Sequence, residues 1–103
     1  MPEKVRITVL KKLRVNEVFE KYAKNLDPKC PVLRVGDVFE VKPEEIEMPE
    51  GFCSWAWADI HRDVAHLALG GDFPWIKQRG TMISSCTDGL RPVIFKLERI
   101  KEE

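Results

Sequence analysis

The sequence predicts a small α+β domain, with a mixed or antiparallel sheet and two main helices. Three observations predict it. At 103 residues the chain is long enough for one domain with a single modest core. Alternation of apolar and polar residues marks strands near both ends. Between them lies a long stretch of helical periodicity, stopped by two glycines.

The first strand is VRITVLKKL, Val5 to Leu13, with Val5, Ile7 and Val9 on one side. Asn16 is placed to cap a helix from Glu17 to about Asn25, and Asp27-Pro28 ends it. On that helix Val15, Val18, Phe19, Tyr22 and Leu26 share one face, as in an ordinary amphipathic helix. Val38 to Val41 reads as a short strand after a Gly36-Asp37 turn, and the acidic run Glu44 to Glu50 reads as a solvated loop.

The composition then changes. The first fifty residues carry twenty charges, whereas Gly51 to Phe95 carry eight. Ser54 is a good N-cap for a helix of about Trp55 to Leu69, and Gly70-Gly71 is a good stop. Trp57, Ile60, Val64, Leu67 and Ala68 form one apolar arc. Asp59, Arg62, Asp63 and His66 leave a narrow wet stripe, with Trp55 among them. A helix this apolar is central, or lies partly in an oligomer interface.

TMISSC and VIFKLERI read as two final strands with Asp88-Gly89 between them. A two-residue loop would set Pro92 opposite Ser85, at a position that needs a donor. A wider loop, a bulge or separated strands are therefore expected.

Composition excludes several classes. Seventeen basic and seventeen acidic residues balance, which argues against nucleic acid as a partner. No apolar run reaches the ~20 residues of a membrane span. The start, MPEKVRITVLKK, lacks a secretory pattern, so the expected location is the cytoplasm. Many charged residues with one Gln and two Asn lean towards a thermophilic habitat.

The strings "CP" at Cys30-Pro31, "GFCSWAWADI" from Gly51, "GGDFPW" from Gly70 and "CTDGLRPVIFK" from Cys86 carry a resemblance over nearly the whole chain. They resemble a family of small, about 100-residue prokaryotic proteins of uncharacterised function. The resemblance implies a self-contained prokaryotic domain, with each cysteine inside a family motif. It implies no activity, cofactor or catalytic residue.

Gly51 to Trp75 holds all three tryptophans, both histidines and one of the three cysteines. Cys30, Cys53 and Cys86 lie 23 and 33 positions apart, each where a loop meets an element. If their sulfurs converge, they form a tri-thiolate site for zinc or another thiolate-bound metal, with His61, Asp88 or water as fourth ligand. If they do not, they are small buried hydrophobes. Cys53 also precedes the N-cap, where helix amides favour a thiolate. Asp59 and Asp63, four residues apart, form either a paired-carboxylate site or a solvated helix face with local ion pairs.

Trp55, Trp57 and Trp75, with Phe52 and Phe73, could wall an apolar pocket for a small organic ligand or simply fill the core. Asp88 suits its turn, while Arg91 could hold a carboxylate or phosphate.

Three functional readings follow. The first is a small soluble binding module whose Cys- and Trp-lined pocket takes a metal or small ligand through Trp55, Trp75, Asp88 and Arg91. The second is a redox or nucleophilic enzyme using Cys53 or Cys86, with His61 as a nearby base. The third is a homo-oligomer, by default a dimer, associating through the Trp-rich helix.

Overall fold

A computed structural model describes residues 2–101. The elements are β1 (Lys4–Lys12), α1 (Asn16–Tyr22), β2 (Val38–Val41), α2 (Ser54–Ala68), β3 (Thr81–Ser85) and β4 (Val93–Ile100). The strands form one sheet in the order β2-β1-β4-β3, antiparallel throughout. The fold is the expected α+β domain.

Register follows from the alternation. Val5 and Ile7 of β1 lie opposite Val41 and Phe39 of β2, and Ile7 and Val9 lie opposite Leu97 and Phe95 of β4. These side chains point to one face, where α2 packs on β1, β4 and β3. The other face carries charged pairs, Arg6 and Lys4 with Glu40 and Lys96 with Glu98, among exposed Val38 and Ile83. A register shift at Leu10 lets β1 bend away near its end.

The inner face of β2 lies beyond the reach of α2. Aromatic side chains fill that space. Phe52, buried, stands edge-on to Phe39 at 5.1 Å and Trp57 at 6.3 Å, and tilts against Phe95 at 5.4 Å.

The arc of α2 is rotated from expectation. Ala56, Ile60, Asp63, Val64, Leu67 and Ala68 are buried, while Trp57 is half-buried beside Phe52. Small Ala56 lets the helix start sit close to the sheet. Asp63 turns inward, 5% exposed, because the Ser84 hydroxyl of β3 donates to its Oδ2 at 3.1 Å. Arg62 pairs with its other oxygen at 3.6 Å. The structure thus moves Asp63 from the wet stripe into the helix–sheet seam, while the Asp59 carboxylate accepts from Thr87.

α1 departs further. It is shorter than its periodicity predicts, buries none of its residues and packs on no other helix or strand. Val15, Val18, Tyr22 and Leu26 are exposed, and only Phe19 of that face is half-buried. Asn16 does not cap the helix. Its Oδ1 accepts from Arg14, whose guanidinium lies 4.5 Å from the Phe19 ring.

α2 ends as expected. Gly70, at φ +95°, takes the left-handed conformation; its N–H bonds Leu67 O, and the Gly71 N–H bonds His66 O. A Cβ on Gly71 would run into the His66 ring. Arg99 of β4 then satisfies the last carbonyls, donating to Leu67 O at 3.1 Å and Gly71 O at 2.6 Å. It also pairs with Asp72 at 3.1 Å and Glu3 at 3.1 Å.

Asp72 is the hub of this latch. The Gly80 N–H is the main cause holding its carboxyl below the ordinary value of 3.8; burial opposes, and Arg99 and Arg79 add to the lowering. A lowered folded-state value stabilises the fold above pH 3.8, and that stability is lost as pH falls through the folded value. Urea titrations of Asp72→Asn should therefore show a lower midpoint at pH 7. They should also show a shallower loss of stability below about pH 4 than the parent.

Candidate functional site

Three segments meet at the N-terminal end of α2. Cys30–Leu33 comes from the connection between α1 and β2. Cys53, Trp55 and Ala56 open α2. Cys86–Arg91 comes from the connection between β3 and β4, and Val93 opens β4. Together they enclose a cleft of about 580 Å³, within the usual range of small-ligand sites.

The floor is apolar, because Leu33, Ala56 and Val93 are all buried core residues. Cys30, Cys53 and Cys86 stand above it, each half-buried and unpaired by disulfide. All three thiols thus share one cleft despite their separation in sequence. They do not close on a common point. Among the described residues no group of three or more His, Cys, Asp or Glu is placed to hold a metal ion.

Local chemistry aims Cys86. Its N–H still bonds Val93 O at 3.1 Å, as in a regular ladder. Its carbonyl instead accepts from the Ser85 hydroxyl at 2.8 Å, and its Sγ accepts from the Val93 N–H at 3.3 Å. The sulfur thus stands in for the carbonyl at the last rung. Cys53 is the N-cap of α2, in place of Ser54, and makes no side-chain capping bond.

The loop after β3 is wide, as Pro92 requires: residues 87–92 separate the ladder's ends. It is fastened at both ends. The Thr87 N–H donates to Asp59 Oδ2 at 2.8 Å, and its hydroxyl donates to Asp59 Oδ1 at 3.0 Å. Asp88 Oδ1 accepts the N–H groups of Leu90 and Arg91 at 2.9 and 3.0 Å.

Arg91 reaches Asp88 at 3.4 Å and donates to Asp27 O at 3.4 Å. Burial works against the Asp88 charge, yet those two amides and the Arg91 guanidinium outweigh it and hold the carboxyl below its ordinary value. The pair leaves little net charge in the cleft wall.

Trp55 stands at the rim, 71% exposed. It also borders a second, more open groove with Ser54, Ala58, Asp59 and Thr87. Two expected site residues stand elsewhere. Trp75 is 68% exposed and packs on Phe73, and His61, on the outer side of α2, packs edge-on to Trp57 at 5.2 Å. Neither lines the cleft. Sequence reasoning missed Leu33 and Ala56 as floor residues and Thr87 as the loop's fastening. A Thr after the cysteine, across from an acidic helix residue, was the available signal.

No helix among the described residues is long and apolar enough to cross a membrane. Compared with protein-family models, curated proteins and solved structures, the chain shows no match in any of the three.

The Asp59 bonds carry a prediction. Asp59→Ala should destabilise the chain by about 1–3 kcal/mol, since two bonds to one carboxylate are lost. Amides of residues 87–91 should lose hydrogen-exchange protection well before those of β1 and β4.

Proposed function

We propose that this chain is a binding module whose thiol-lined cleft takes a small, uncharged, largely apolar molecule. The observation that carries the reading is the set of three thiols over a floor of Leu33, Ala56 and Val93, in a cleft sized for a small ligand. The neutralised Asp88–Arg91 pair offers no lone charge for an anion or cation. An organic ligand fits better than zinc, because the three cysteines line one cleft without forming a metal-binding group among the described residues.

Thiol-dependent chemistry is the second reading, and the Val93 N–H on Cys86 Sγ favours it. That bond fixes the sulfur at the cleft surface, as a nucleophile requires. The base would have to come from the ligand or solvent, since His61 stands outside the lining.

Amide NMR with a panel of uncharged aromatic fragments tests the first reading. Shift changes should cluster at Leu33, Cys53–Ala56 and Cys86–Val93; changes elsewhere, or none at millimolar fragment, would refute it. A bound fragment should also slow iodoacetamide alkylation of Cys30, Cys53 and Cys86 together, read by peptide mass spectrometry. Protection of only one thiol would show that the cleft is not their common environment.

A further inference from the structure

The outward side of α2 carries a pattern that the cleft uses only at Trp55. Trp55, Ala58, Arg62 and Ala65 are spaced three, four and three residues apart, so they form one straight seam along the helix. The seam lies opposite the face that packs on the sheet. Trp55 is 71% exposed and the Arg62 side chain 89% exposed. Ala58 is exposed and Ala65 half-exposed.

An ordinary solvent face at these positions would carry Lys, Glu and Gln. Here large and small side chains alternate in pairs. A two-fold axis at the level of Ile60, perpendicular to α2, would set residue 55 against 65 and residue 58 against 62. Each large side chain then meets an alanine of the other copy. Alanines at the crossing let two helices approach to about 8–10 Å.

The charges agree with the sizes. Arg62 and Asp59 lie on the same flank of the seam. Under that axis each guanidinium comes beside Asp59 of the other copy, and the four charges alternate in sign. A seam that complements itself in both size and charge is what an isologous contact requires. A different protein as occupant would impose no such reciprocity.

We propose that a second copy of this chain covers the seam, with the two α2 helices antiparallel, Trp55 against Ala65 and Arg62 against Ala58 and Asp59. The proposal does not depend on what the cleft binds. It does touch the cleft, because Trp55 belongs to both, so the second copy would steady one rim of each site. A contact of one helix pair falls below standard interface size, so the dimer dissociates on dilution.

Sedimentation equilibrium tests it. The mean mass should rise from 11.9 kDa towards twice that value between micromolar and millimolar chain. Trp55→Ala and Arg62→Gln should each weaken association by about tenfold or more, with helix content by circular dichroism retained, since Trp55 is exposed and glutamine places no like charge beside Asp63. Isotope-filtered NMR should show an intermolecular contact between the Trp55 indole and the Ala65 methyl. Ten helical residues, about 15 Å, rule it out within one chain. A mass that stays at 11.9 kDa at millimolar chain overturns the proposal. So does a dimer indifferent to both substitutions, as an edge-strand pairing through β2 or β3 would be, or one without the Trp55–Ala65 contact.

Discussion

One helix has to cover four strands. Strands lie about 4.8 Å apart and a helix with its side chains is about 10–12 Å wide, so α2 cannot shield the whole inner face. It settles on β1, β4 and β3 and leaves β2 to others. Phe39 and Phe52 complete the cover on that side, which is why Phe52 is buried just before the helix starts. The remaining shortfall lies at the helix's N-terminal end. There the three connecting segments meet α2 without filling the space between them, and the cleft is what remains.

This origin explains the character of the cleft. Its floor is core that no element covers, so it is apolar. Its walls are loop residues, so their polar groups are satisfied locally: Thr87 by Asp59, Asp88 by its own turn, Arg91 by Asp88 and Asp27. The thiols fit between these two conditions. Sulfur tolerates an apolar floor and yet can accept a backbone N–H, as Cys86 does from Val93.

Much of this was legible in the residues. Alternation in VRITV and VIFKL located the central strand pair, and Gly70-Gly71 located the helix end, because those signals are local and backbone-driven. Pro92 foretold the wide loop by its missing donor. What was not legible depended on partners distant in sequence. Asp63 reads as a surface residue until Ser84 is seen 21 positions later. Trp57 carries far more apolar surface than Ala56, yet close approach to a sheet favours the small side chain. Asn16 has the chemistry of a cap, but Arg14 takes its oxygen first. Within the site, the meeting of the three cysteines is a property of topology. His61 and Trp75 were drawn in by proximity in the chain alone.

The two ends of α2 are built differently. Its C-terminal end is locked by Arg99, Asp72 and the Gly70–Gly71 turn, with Glu3 drawn in from the first strand's approach. Its N-terminal end carries only Cys53 as cap and borders open space. The lock thus stands at one pole and the open cleft at the other, along a rod about 22 Å long by the helical rise. Substitutions at the exposed rim, such as at Trp55, would meet little resistance from the fold, while the distant lock keeps the chain folded.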